Sequence, residues 1–159
     1  MLEAYAVEQA ALLAGPEYVE RLEARYVEMQ DAARANDRKL FLQKDYSWHE
    51  TIWQITGNEY LQTALRRLLV PLFAFTAIRI VTRPVFDLLH DARTHGPILE
   101  ALKARNPEAA RHALLTGLRE WDAHTRECVF RQNDGQGKLS SVEPRAAAVS
   151  LTPFASGPP

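Results

Sequence analysis

Two Asp-x-x-x-His pairs stand out among the residues able to do chemistry: Asp45–His49 in KDYSWHETIW and Asp91–His95 in LLHDARTHGP. Residues four apart on a helix project from the same side about 5–6 Å apart, so a carboxylate and an imidazole spaced this way can reach one ion. Helical bundles build metal sites from such side chains on facing helices. With seven Asp and five His in 159 residues, roughly 0.2 such pairs arise by chance, so one pair is no motif and two mildly favour a site. The competing reading is a polar boundary at which Asp45 and His49 bond each other or water. Imidazole with carboxylate suits a divalent transition ion such as Zn²⁺, Ni²⁺ or Mn²⁺, without selecting among them.

Other chemistry finds less support. The chain has no H-E-x-x-H, no G-x-S-x-G, no phosphate-cradling Gly-rich loop, no cysteine cluster and no paired Glu-x-x-His, which removes the common metalloprotease, hydrolase, nucleotide, zinc-ribbon and di-iron readings. Glu50 lies about 100° from His49 around a helix and is poorly aimed for a general base. Arg79 and Arg83 follow an apolar stretch and are candidate forked donors to an anionic ligand, with a solvated or ion-paired role as the alternative. His90, His112 and His124 read as rim residues.

The elements that must position these groups are helical. Apolar residues recur at three- and four-residue spacing between Gly, Pro and Asn punctuation. The pattern predicts helices over about 2–14, 16–35, 38–56 and 59–81. A fifth opens at Thr82-Arg83-Pro84 and is kinked at Gly96-Pro97, and a last one runs from Pro107 to about Arg131. Pro71 should bend or divide the fourth. Leu40, Phe41, Trp48, Ile52, Trp53 and Ile55 form the expected buried face of the third. The sum is an all-α antiparallel bundle of about six to seven helices with an interior ligand or metal cavity, over residues 1–131. Residues 132–159, rich in Gly, Pro, Ser and Ala, read as a disordered tail.

Composition narrows the setting. A net charge of −1 gives no global field toward nucleic acid or membrane. One cysteine, Cys128, excludes an intrachain disulfide and fits a reducing compartment. No secretory leader is apparent, and the longest apolar run, Leu68–Ile78 with Pro71 inside it, is short for a membrane span. The expectation is a cytoplasmic protein.

Taken in order, several segments resemble one family: the opening LEAYAVEQAALLA, Asp45-Tyr-Ser-Trp48-His49, Thr56-Gly57-Asn58-x-x-Leu61, His95-Gly-Pro-Ile98-Leu99-Glu-Ala101-Leu102 and Asn106-Pro-Glu-Ala-Ala110. The chain is similar over residues 1 to about 130 to the ligand-sensing FCD domain, the C-terminal domain of FadR-type regulators in the GntR superfamily. The resemblance implies an all-helical, dimerising, non-enzymatic domain that binds a small carboxylate effector with help from a metal held by one Asp and three His. Asp45, His49 and His95 match three of these ligands. The fourth falls at Gly117, which leaves an open position, a substitute from Asp91, or a vestigial site. His112 and His124 are displaced around or along the helix and should not reach. The family's winged helix-turn-helix, its route to DNA, has no counterpart here, because Met1 stands almost at the start of the first sensing helix. A metal-dependent enzyme and an inert dimerisation module are the alternatives.

Overall fold

A computed structural model describes residues 2–82 and 87–136, with the side chains of 79–82, 125 and 127–136 outside that description. Seven α-helices and no strand occur among the described residues: α1 (Leu2–Leu13), α2 (Pro16–Arg34), α3 (Arg38–Ile55), α4 (Glu59–Thr82), α5 (Leu88–Arg93), α6 (Gly96–Lys103) and α7 (Pro107–Gln136). The bundle therefore agrees with the all-α expectation.

The helix ends have local causes. Gly15 precedes Pro16 at the first turn of α2, where a missing N–H costs nothing. Asp37 accepts from Leu40 N at 2.9 Å to cap α3, and Asn58 accepts from Leu61 N at 3.0 Å to start α4. Between these caps Asn36 (φ 52°) and Gly57 (φ 61°) take the left-handed conformation that closes the preceding helix. Such tight turns, with α2 packed on α3 and α3 on α4, make consecutive helices run in opposite directions.

α1 lies at the centre, against α7, α3, α6 and α4. Its buried side is Ala4, Ala6, Val7, Ala10 and Ala11, small enough to let its neighbours approach closely. The bulk of the core comes from the surrounding helices: Leu22 and Met29 from α2, Phe41, Trp48, Ile52 and Trp53 from α3, Leu65 from α4 and Leu102 from α6 are all essentially inaccessible. Fully burying each large apolar side chain contributes about 1.5–3 kcal/mol.

Four expectations change. Leu40 is exposed rather than buried with Phe41, because it stands about 100° around α3 from Phe41, off the stripe of Phe41, Trp48 and Ile52 that faces the core. Pro71 does not divide α4; both it and Arg67, whose carbonyl it deprives of a partner, are exposed, so that carbonyl can turn to water. Gly96-Pro97 does more than kink a helix: the ring of Pro97 excludes an α-helical carbonyl at Arg93, so α5 ends there and α6 begins at Gly96. α7 continues to Gln136, five residues past the expected end. The start placed at Thr82-Arg83-Pro84 and the tail from 137 onward fall outside the described residues. Residues Glu59–Ile78 of α4 are long and apolar enough, by length and composition alone, to cross a membrane. Within that stretch Arg66 is tied to Glu50 of α3 at 3.1 Å, which holds the helix to the bundle.

Candidate metal and effector site

The break between α5 and α6 decides where His95 points. It occupies the N-cap position of α6, and its ring turns inward toward α3, where Asp45 and His49 sit one turn apart on the cavity side. His95 Nε2 is 3.0 Å from Asp45 Oδ1 and 3.2 Å from His49 Nε2, and His49 Nε2 is 3.5 Å from Asp45 Oδ1. Three ligand atoms from two segments fifty residues apart thus form one small triangle, and this cluster could hold a metal ion.

The far sides of the rings are engaged. His95 Nδ1 is 3.1 Å from the Asp91 carbonyl oxygen, and His49 Nδ1 is 2.7 Å from Glu3 Oε1 on the first turn of α1. Each imidazole that donates from Nδ1 presents a bare Nε2 lone pair to the centre. Two such lone pairs and a carboxylate oxygen cannot face one another at 3.0–3.5 Å without a cation or proton between them. The triangle also has the right size, since donors about 2.0–2.1 Å from a tetrahedral Zn²⁺ lie about 3.3 Å apart. Trp48 packs edge-on against both imidazoles, with ring centroids 5.3 Å from His49 and 4.8 Å from His95, so neither can swing away without opening the core.

The electrostatics fit a site for positive charge. Burial raises the pKa of Asp45, but His95 and then His49 outweigh it and hold Asp45 below the usual carboxylate range. Glu3 is likewise lowered: burial opposes its charge, and His49 followed by the Trp53 indole overcomes that. Burial works against charge on His49 as well, yet Glu3 and then Asp45 outweigh it and raise its pKa above the usual histidine value. Asp91 behaves oppositely. Burial, then Asp45 and Asp87, push it up to about 8, and its Oδ1 is buried with no hydrogen-bond partner.

These groups line a cavity of about 110 Å³, well below the roughly 300–1,000 Å³ of sites for drug-sized molecules. α3, α5 and α6 supply its polar side; Leu69, Leu72 and Phe73 of α4 and Leu114, Gly117, Leu118 and Trp121 of α7 supply the apolar remainder. Asp91 lines the cavity but is not among the side chains whose ligand atoms converge. A Cβ at Gly117 would lie 3.4 Å from Thr94 Cβ, and Thr94 and Gly117 also line an outer groove along α5, α6 and α7.

Among the remaining expected residues, His112 and His90 are exposed and His124 pairs with the ring of His90 at 5.6 Å; none joins the cluster. The side chain of Arg79 and all of Arg83 lie outside the described residues. Glu50 faces away, bonded to Arg66 and Tyr46, as its helical angle requires. The participant missed in the sequence is Glu3. An acid in the first turn of a helix ordinarily answers the helix dipole, and nothing local marks this one as the partner of a histidine forty-six residues away.

Comparison with known proteins agrees with this architecture. The FCD domain family matches residues 1–120. A "Probable D-xylose utilization operon transcriptional repressor" of Paenarthrobacter nicotinovorans is 28% identical over 97 residues, 61% of this chain and 42% of that protein. The solved structure of E. coli McbR/YncC superposes with a TM-score of 0.72 at 20% identity, over 79% of this chain and 60% of that one. The chain thus spans less than two thirds of either protein's length.

Proposed function

The chain belongs to the FCD domain family, and from that premise we propose that it is the effector-sensing and dimerising part of a GntR-type transcriptional regulator, responding to a small organic acid through a bound divalent transition ion. Asp45 Oδ1 and the Nε2 atoms of His49 and His95 hold the ion, with Zn²⁺, Ni²⁺ and Mn²⁺ all compatible with the donor set. The ion supplies a Lewis-acid clamp for a carboxylate. The observation that carries this reading is the convergence of three ligand atoms at 3.0–3.5 Å while the Nδ1 atoms face the Asp91 carbonyl and the Glu3 carboxylate.

The α7 side carries no ligand atom at Gly117, which leaves a coordination position for the acid, as sites with three protein ligands do. The cavity volume favours an acid of few carbons, its chain against Leu114, Leu118 and Trp121. Asp91 sits where it can donate to or accept from the acid, or turn to the ion as a fourth ligand. Arg79 and Arg83 are assigned to the same anion. Two copies pair along the outward side of α4, where Leu68, Leu72 and Phe75 recur at helical spacing and are exposed. DNA is reached through a winged helix-turn-helix in full-length relatives, the domain extends to the end of α7 at Gln136, and the setting is cytoplasmic.

Metal analysis of protein purified without chelator or a metal-affinity tag tests the ion, and thermal-shift screening of short-chain carboxylates with and without added Zn²⁺ tests the effector. A bound acid should raise the melting temperature only in the metal-loaded protein, as RT ln(1 + [L]/Kd) requires. Equal metal content in wild type, Asp45→Ala and His49→Ala would remove the basis of this function.

A further inference from the structure

The proposed function uses Asp45, His49 and His95 but leaves unexplained why a carboxylate from a different helix is buried behind them. Glu3 and His49 side chains are only 13% and 12% exposed. Their 2.7 Å approach stands off the ring N–H axis, since Glu3 Oε1 has no hydrogen bond of full geometry and neither has the indole nitrogen of Trp53. The buried carboxylate nonetheless lies closest to the His49 ring nitrogen, which faces it across 2.7 Å. A buried carboxylate left without such a partner is costly.

We propose that Glu3 is the positioning residue of the metal site and that it ties the start of α1 to the state of that site. The proposal rests on the metal reading above. Its carboxylate accepts from His49 Nδ1–H, which fixes the tautomer with Nε2 bare toward Asp45 Oδ1 and His95 Nε2. A carboxylate behind a ligating histidine also makes the imidazole a stronger donor. His95 has neutral oxygens in the equivalent place, the Asp91 carbonyl at 3.1 Å and the Thr94 hydroxyl at 3.5 Å, so the two histidines are unequally supported and His49 depends more on its charged partner.

Transmission follows from where Glu3 sits. It is the second residue of α1, a helix whose other inward residues are alanines and one valine. Glu3 is therefore the one side chain on the buried side of α1 with a charged link to the cavity. An ion on Nε2 draws electron density through the ring and strengthens the Nδ1–H bond to Glu3, which holds down the first turn. Without the ion no charge on Nε2 polarises that bond, and the first turn is held less firmly. The site thus acts on the N-terminal end of α1 through one carboxylate, without a shift in the packed core.

The test compares Glu3→Gln, Glu3→Ala and Asp45→Ala in the intact protein, using Zn²⁺ competition with a fluorescent chelator, ¹⁵N imidazole shifts for the tautomer of His49, and amide exchange over residues 2–7. Glu3→Ala should weaken Zn²⁺ binding by about 10–100-fold, mix the His49 tautomers and abolish the Zn²⁺-dependent protection of the first turn. Glu3→Gln keeps an acceptor oxygen and should fall between Glu3→Ala and wild type. If Asp45→Ala loses Zn²⁺ while Glu3→Ala keeps both wild-type affinity and a single His49 tautomer, the positioning role is wrong and the site stands. If the affinity falls in Glu3→Ala but protection of residues 2–7 in wild type does not respond to Zn²⁺, the link to α1 is wrong. Retention of Zn²⁺ by Asp45→Ala would instead remove the metal reading itself.

Discussion

The interior cavity has two unlike walls. On one, α3 and the α5–α6 turn gather Asp45, His49 and His95, backed by Glu3 and the Asp91 carbonyl. On the other, α7 offers Leu114, Gly117, Leu118 and Trp121, with no ligand atom among them. Binding strength and ligand access are thereby separated: one wall carries the converging ligand atoms, and the other leaves room. The position that balances them is Gly117, where a donor would strengthen the hold on the ion and occupy the place of the acid.

The contrast between walls can be broken most severely at Asp45. Asp45→Ala removes a donor and leaves two histidines facing each other, so metal affinity should drop by on the order of 100-fold or more, beyond the 10–100-fold range typical of supporting residues. Chelator competition measures it. A drop smaller than that of Glu3→Ala would reverse the roles assigned to the two carboxylates.

Asp91 sharpens the polar wall through pH. In metal-free protein its pKa of about 8, against 3.8 for the ordinary carboxyl, means the folded state binds the extra proton. Stability therefore falls as pH rises from about 4 to about 8 and is level above that. His49 adds to the same trend at the upper end, because a raised histidine pKa gives stability that is full below 6.5 and lost as pH climbs through the folded value. The lowered Asp45 and Glu3 act at the acid end, losing their contribution as pH falls through their folded values. Asp91→Asn should flatten the decline between pH 4 and 8 and stabilise metal-free protein at pH 8 by a few kcal/mol, seen in denaturant melts across pH. An unchanged slope would mean that Asp91 is not held protonated.

Gly117→His tests the open wall. The new Cβ is accommodated at 3.4 Å from Thr94, and a fourth imidazole should tighten Zn²⁺ by about tenfold, about 1.4 kcal/mol, while removing the thermal shift produced by short-chain carboxylates. Tighter metal with an undiminished carboxylate response would place the acid elsewhere.

The smallest effect on either wall is expected from Leu68→Glu. Its side chain is 61% exposed, so folding should change by less than about 0.5 kcal/mol, with Zn²⁺ affinity unaltered. Sedimentation should nonetheless show dissociation if α4 is the dimer face. A dimer that survives this change would send the search for an interface to another helix.

Much of the architecture was legible because its signals are local. Asp37, Asn58, Gly57 and Gly15-Pro16 act on their own neighbours through caps and backbone geometry, and all four boundaries fall within a residue or two of expectation. The pairing of Asp45 with His49 was legible for the same reason, one helical turn being a local ruler. Leu40 was misjudged because how wide a stripe of α3 is buried depends on the helices packed around it, and Leu40 stands about 100° from Phe41. The division at Gly96-Pro97 was underestimated because a proline's excluded carbonyl bends one helix and ends another according to the packing around it, as the undivided α4 at Pro71 shows.

By itself the sequence determined the helices, their ends, the family resemblance and the three groups of the candidate metal cluster, since each is written in spacing along the chain. Only the tertiary structure decided that His95 closes on Asp45 across fifty residues, that Asp91 lines the cavity without joining the donors, and above all that Glu3 stands behind His49. The physical reason is that hydrogen bonding between buried groups depends on distance and direction through space. Those are set by how α1 and α3 pack, and no periodicity within either helix records them.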